Sequence, residues 1–456
     1  MKKTLTAALC CALAVLTGCA LYGKKEPVKI NLVTLDPGHF HAYLVQKKMY
    51  PEVNPLVQVY APEGPEVRTH LKMIESFNAD AKNPTAWTED VYIGKDYLEK
   101  MLADKKGNVV VLAGNNSRKA EYILACVKAG YNVHADKPMA ITPKDFELLK
   151  EAFKIAEEKG LIVRDIMTER YEISTMLQTE LAKYPELYGE QDKGSPESPA
   201  ITKESVHHFC KTVSGKTLVR PPWFYDVKQQ GEAIVDVTTH LTDLIQGALY
   251  PQAALTPDDV KVLSARTWNT PITAEQFKKS TGLDAYPDYL KSVADANNVL
   301  QVAANGEFTY TLKGVHAKVS VLWNFEAPAG TGDTHYSLMR GTKASLIIRQ
   351  GKDEGYKPMV YIEPAPGVNR VEAEEALRDA LKQINKKWPG VLYRPAKNGW
   401  ALVIADKYAV GHEAHFIEVT EHYIKYLQDG KMPKWETDFM ITKYHTLMEA
   451  YKLSRK

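Results

Sequence analysis

The sequence predicts an α/β protein in which an amino-terminal doubly wound parallel sheet precedes an α+β part built on a large, mainly antiparallel sheet. Three patterns carry this. Short apolar runs alternate with amphipathic stretches up to about residue 165, a Gly, Ser and Pro-rich segment at 192–199 interrupts them, and longer runs joined by glycine-bearing turns follow. Unbroken apolar runs suit strands buried on both faces, and strands alternating with helices mark a parallel sheet.

The first residues lie outside that fold. Lys2 and Lys3 precede an apolar run from Leu5 to Leu16 and then Thr17, Gly18 and Cys19, the layout of a secretory signal. The run is too short to cross a bilayer as a stable helix. Leu16-Thr17-Gly18-Cys19 resembles the bacterial lipobox, so residues 1–18 are expected to be removed and Cys19 lipidated, leaving the protein exported and anchored to the cell envelope, on the periplasmic side or at the outer membrane. An ordinary signal cut at a nearby small residue would free it into the periplasm instead. Residues 19–28, with Lys24, Lys25 and Pro27, read as a polar tether.

Cys10 and Cys11 leave with the signal, so only Cys126 and Cys210 remain unmodified, in different predicted domains. The hydrophobic core, not a disulfide framework, must hold the fold. Two domains are expected, a first at 29–165 and a second at 166–456. With 58 Lys and Arg against 56 Asp and Glu, and no basic block after the leader, nucleic acid is excluded as a partner.

The apolar runs 28–35, 56–61 and 108–113 predict the first three strands. Residues 118–129 predict a helix ended by Gly130, and 132–135 another strand. From Pro143, Phe146, Leu149, Phe153 and Ala156 recur at spacings of three and four, and Gly160 closes that helix before a strand at 161–164. Beyond the interruption, 308–312, 317–325, 336–340 and 344–349 predict successive strands, and 413–427 and 438–453 predict closing helices.

Two patterns carry chemistry. Asp136-Lys137-Pro138 follows a predicted strand of the parallel sheet, at the carboxyl end where ligands bind. A lysine there can place its ammonium over a cofactor and a substrate hydroxyl, although the tripeptide alone equally describes a surface lysine. In the stretch from Gly231 to Asp243, a helix would put Asp236, His240 and Asp243 on one face. A histidine held by a carboxylate is a general base near neutral pH, and a solvated helix face has the same spacing. A zinc site here lacks a third ligand at metal-site spacing, and no metal is expected.

The two patterns, in this order and at this separation, resemble the glucose-fructose oxidoreductase and inositol dehydrogenase family, Gfo/Idh/MocA. The resemblance is clear from about Val109 to Gly247, and the ending, with Gly411-His412-Glu413-Ala414-His415-Phe416 and Trp435-Glu436-Thr437, looks like an exported bacterial branch with a distinctive carboxyl-terminal domain. It implies a Rossmann-like first domain that binds NAD, with NADP not excluded, and a second domain that binds a carbohydrate. By the match, Lys137, Asp236 and His240 form the catalytic group. Gly38, His39, Phe40, Glu63, Asn115, Asn116, Asp136 and Lys137 face the cofactor, and Tyr171, Trp223, Asp236 and His240 face the substrate.

Three departures stand beside this. A Gly-x-Gly-x-x-Gly fingerprint is expected after the first strand, but Asp36-Pro37-Gly38-His39-Phe40-His41 keeps only Gly38 and adds a negative charge where a pyrophosphate would lie. Ala61-Pro62-Glu63 follows the second strand, where Glu63 would accept ribose hydroxyls and favour NAD. Asp136 stands for the usual glutamate, and Arg118 where a histidine is common.

The resemblance implies oxidation of a sugar or glycoside hydroxyl to a keto-sugar, at the 3-position among others, with a tightly retained cofactor and a second sugar or redox partner to recycle it. Two alternatives accompany it: an NAD-dependent glycosidase working by oxidation, elimination, hydration and reduction, and a carbohydrate-binding lipoprotein without catalysis, which the broken fingerprint favours. An exposed face of the second sheet would favour a homo-oligomer. His207, His208, His412, His415 and Trp323 carry no assignment at this stage.

Overall fold

A computed structural model describes residues 28–213 and 216–456; the expected signal peptide, Cys19 and nearly all of the tether lie outside the described residues. The first sheet has six strands, β1 Leu32–Leu35, β2 Leu56–Ala61, β3 Thr88–Ile93, β4 Val109–Leu112, β5 Asn132–Asp136 and β6 Val163–Ile166. Their order is β3-β2-β1-β4-β5-β6, and every pairing is parallel. β1 and β4 are buried throughout, as their unbroken apolar sequences require. Strand order reverses between them, so their following loops diverge and open a crevice at the carboxyl ends.

The helix Pro143–Lys159 begins and ends where its sequence signals lie. Thr142 and Asp145 form a reciprocal capping box, Pro143 takes the first turn, and Gly160 closes it in the left-handed conformation at φ 65°. Its buried face is Phe146, Leu149, Ala152, Phe153 and Ala156.

The second sheet follows β7 Ile201–Cys210, after a small hairpin of β8 Thr212–Val213 and β9 Lys216–Thr217. It adds β10 Val260–Ile272, β11 Leu300–Leu312, β12 Val315–Glu326, β13 Thr334–Arg340, β14 Ala344–Gln350, β15 Met359–Pro364, β16 Leu392–Ala396 and β17 Gly399–Val403. The order is β10-β11-β12-β7-β13-β14-β15-β17-β16, and only the β12–β7 pairing is parallel. The expected strand at 308–312 extends back to Leu300 because residues 300–307 also send side chains to the core, among them Leu300, Val302 and Ala304.

The carboxyl-terminal helices return to the first sheet. His412–Asp429 buries Phe416, Val419, Tyr423 and Leu427 in one cluster with Ile30, Leu32, Val57 and Val109. Lys434–Leu453 joins both halves: Lys443, fully buried, lies 2.7 Å from Asp165 on β6 and 2.8 Å from Asp243 on the helix Thr238–Leu249. Arg170 grips Asp243 at 2.6 and 2.7 Å and Glu436 at 2.8 Å. Among the described residues, no helix is long and apolar enough to cross a membrane.

Candidate active site

The crevice floor is backbone packed on backbone. Gly38 follows β1 and donates its N–H to the Ala113 carbonyl at 3.0 Å. A Cβ at Gly38 would sit 3.3 Å from Gly114 Cα, and one at Gly114 would sit 2.4 Å from the Asp36 carbonyl oxygen. Only glycines allow the two loops to approach this closely. The crevice, of about 250 Å³, is lined by Gly38, Glu63, Asn115, Arg118 and Trp223 among others.

Asp36 at its edge differs from the free charge that the sequence suggests. It adopts a left-handed backbone conformation at φ 49°, and its carboxylate accepts hydrogen bonds from the Tyr122 hydroxyl at 2.9 Å and the Tyr97 hydroxyl at 3.3 Å. Burial raises its pKa, so its opposition to a nearby phosphate is blunted. Glu63, at the end of β2, is two-thirds exposed and paired with Arg68. A glycine cradle at the strand-order reversal, with an acid at the end of β2, suits a dinucleotide.

Next to the crevice, β5 ends at Asp136 and delivers Lys137. The Lys137 ammonium donates to Asp236 Oδ1 at 2.6 Å, with both side chains largely buried. His240 lies in the first turn of Thr238–Leu249, its Nδ1 buried without a partner. Burial, and then the Lys137 charge, push its pKa well below the ordinary value, so it is neutral and able to accept a proton. Glu169 faces the same lysine, and burial with Glu172 nearby raises its carboxyl to about 7.

Residues that the sequence left unassigned gather on and around β7. His207 stacks on Trp323 with ring centroids 5.1 Å apart. His208 Nδ1 and Asp333 are 2.9 Å apart, and His207 reaches the same carboxylate at 3.4 Å, so both rings turn to one acid although strand residues alternate in direction. Arg220, whose pKa burial lowers to about 10, lies over Phe224 and Trp323.

Several expectations are corrected. The shared helical face does not form: Asp236 lies in the turn before the helix and pairs with Lys137 rather than His240, while Asp243 is consumed by Arg170 and Lys443. Tyr171 does not reach the lysine pair; its ring meets His422 and its hydroxyl bonds Arg164. Trp223 stands beside Gly38 on the crevice, where the cofactor rather than the substrate would lie. Of the residues expected to face the cofactor, Gly38, Glu63 and Asn115 line the crevice. Asn116 is buried, donating to the Gln230 carbonyl and accepting from Lys119, so its amide is already used. Phe40 packs on Tyr43 and His412. His39 and His41 bind the Asp136 carboxylate, and His412 meets His41. Burial lowers His41 to about 4 and His412 to about 3, leaving both neutral.

Comparison with known proteins gives this arrangement a family. A model described as "Oxidoreductase family, NAD-binding Rossmann fold" matches residues 40–165, and one described as "Putative oxidoreductase C terminal domain" matches residues 177–455. The chain belongs to the Gfo/Idh/MocA oxidoreductases. A crystal structure of a "putative oxidoreductase" from Parabacteroides merdae is 52% identical, with a TM-score of 0.92, covering 94% of this chain and 98% of its own. Two more distant structures share the fold. A levoglucosan dehydrogenase solved with NADH is 12% identical at TM-score 0.57, over 93% of this chain and 98% of its own. A 3-ketoreductase from Actinomadura kijaniata solved with NADP is 13% identical at TM-score 0.54, over 92% and 96%. No curated protein matches. The Gfo/Idh/MocA assignment makes the first domain an NAD-binding Rossmann domain and the chain an NAD(P)-binding oxidoreductase.

Proposed function

We propose that the chain oxidises a hydroxyl of a sugar or glycoside to a ketone, using a nicotinamide dinucleotide that stays bound between turnovers. The observation that carries this reading is the 2.6 Å Lys137–Asp236 pair beside a neutral His240, at the strand ends that adjoin the crevice. When bound, NAD accepts the hydride. His240 takes the hydroxyl proton, Lys137 steadies the developing negative charge on oxygen, and Asp236 holds the Lys137 ammonium in place. The sugar-related chemistry named for the levoglucosan dehydrogenase and the 3-ketoreductase agrees with this substrate class.

Glu169 favours a second reading of the same site. A carboxyl near 7, facing Lys137, is a second group for proton transfer, as elimination and hydration of a glycosidic substituent would need before the ketone is reduced again. We place the mature protein on the cell envelope through lipid on Cys19, which labelling with a fatty acid analogue tests: Cys19→Ala should lose the label.

Mass spectrometry of small molecules released on denaturing the purified protein is the deciding measurement. NAD or NADP near one per chain, followed by keto-sugar formation from glycosides, is expected. Net hydrolysis without an added electron acceptor would select the glycosidase. No bound dinucleotide, and no binding on adding either, would overturn both readings and leave a sugar-binding protein.

A further inference from the structure

Three metal-type ligands converge beside the lysine pair. His39 Nδ1 lies 3.1 Å from Asp136 Oδ2, and His41 Nδ1 lies 2.9 Å from Asp136 Oδ1. One ligand atom from each falls within 4.8 Å of the other two, and no other group of three His, Cys, Asp or Glu does so among the described residues. Asp136 is 3% exposed and His41 5%.

Among the described residues, no ammonium or guanidinium group bonds the Asp136 carboxylate directly. It accepts from His39, His41 and the Lys137 backbone N–H. The nearby ammonium groups are engaged elsewhere: Lys137 Nζ with Asp236, and Lys119 Nζ with the Asp136 backbone carbonyl rather than its carboxylate. A buried carboxylate without a directly bonded cation is costly.

The outer contact is also of the kind that metal sites use. His412 Nε2 lies 2.9 Å from His41 Nε2. If His41 binds an ion through Nδ1, its proton moves to Nε2, where His412 stands ready to accept it. Metal-bound histidines nearly always donate their second ring N–H in this way, which fixes tautomer and orientation.

We propose that His39, His41 and Asp136 bind one divalent transition cation of the zinc type, with His412 as the positioning residue behind His41. Imidazole with carboxylate suits such an ion. Zinc bonds of about 2.0–2.2 Å in tetrahedral geometry put ligand atoms roughly 3.3 Å apart, close to the 3.1 and 2.9 Å that separate the two histidines from Asp136. Three protein ligands leave a fourth position open for water or a substrate oxygen, beside Lys137. The site stands independently of the substrate class proposed above.

The test is metal content and zinc affinity. Full mature protein, purified without chelator, is analysed by elemental mass spectrometry, then stripped and titrated with zinc against a chromophoric chelator. The expected result is one zinc per chain, at least a 100-fold weaker affinity in His39→Ala/His41→Ala and in the near-isosteric Asp136→Asn, and a 10–100-fold weaker one in His412→Ala. Zinc should raise the unfolding temperature of the unaltered protein. Failure of the stripped, folded protein to take up stoichiometric zinc would overturn the site, as would a folded double variant that binds zinc as tightly as the parent. Dinucleotide content, measured in parallel, keeps these outcomes separate from failure of the oxidoreductase reading.

Discussion

In the proposed reaction Lys137 and His240 divide the work between charge and proton transfer, and each predicts its own variant. Lys137→Met removes the stabilising charge, and turnover should fall by roughly 10²–10³-fold. It also leaves Asp236 buried without its ammonium, so unfolding should begin several degrees earlier. His240→Asn should slow turnover by about 10²–10⁴-fold while dinucleotide retention persists, since the histidine is not among the residues that line the crevice. Because burial and Lys137 hold His240 neutral, the rate should not fall through its titration near pH 6.5, and a pH–rate profile checks this. Lys137, Asp236 and His240 were singled out from sequence because each sits in a short local pattern, and the structure pairs the first two. The meeting of His41 with His412 was not, since 371 positions separate them.

At the scale of elements, the helix Pro65–Asn78 carries a titration that its sequence hides. His70 is 2% exposed, both ring nitrogens lack partners, and burial lowers its pKa to about 4. An unfolded histidine binds its proton near 6.5 and this one only near 4. The stabilisation present above pH 6.5 is therefore lost as the pH falls and is gone near 4, about 3 kcal/mol in all. Urea unfolding at pH 7 and at pH 4.5 should show that loss on top of those from other buried histidines such as His41, and His70→Leu should remove the His70 share. The crevice floor predicts a second effect: Gly114→Ala would drive a methyl into the Asp36 carbonyl and part the loops after β1 and β4, weakening dinucleotide binding at least 10-fold by calorimetry. Strands buried on both faces, such as β1 and β4, announced themselves as apolar runs. The edge strand β3 did not, because Thr88, Glu89 and Asp90 leave it the polar look of a loop.

Across the whole molecule, one ionic cluster ties the first sheet to the helices Thr238–Leu249 and Lys434–Leu453. Lys443 neutralises Asp165 from the first sheet's last strand and Asp243 from the helix that carries His240. Lys443→Met leaves two fully buried carboxylates facing each other and should cost about 3–5 kcal/mol, read by chemical denaturation. The charges that form this cluster are scattered from position 164 to 443, which is why spacing alone drew Asp243 to the wrong partner.

The packing of His412–Asp429 against Ile30, Leu32 and Val57 also sets an order of events. Gln428 exchanges hydrogen bonds with the backbone of Val28 at both its N–H and its carbonyl. The nucleotide-binding half is thus made well before it is sealed, because its core waits for a helix that follows the whole second sheet in the chain. A nascent chain must carry an open hydrophobic flank while the second sheet is made, and a chain cut before His412 would leave that flank bare.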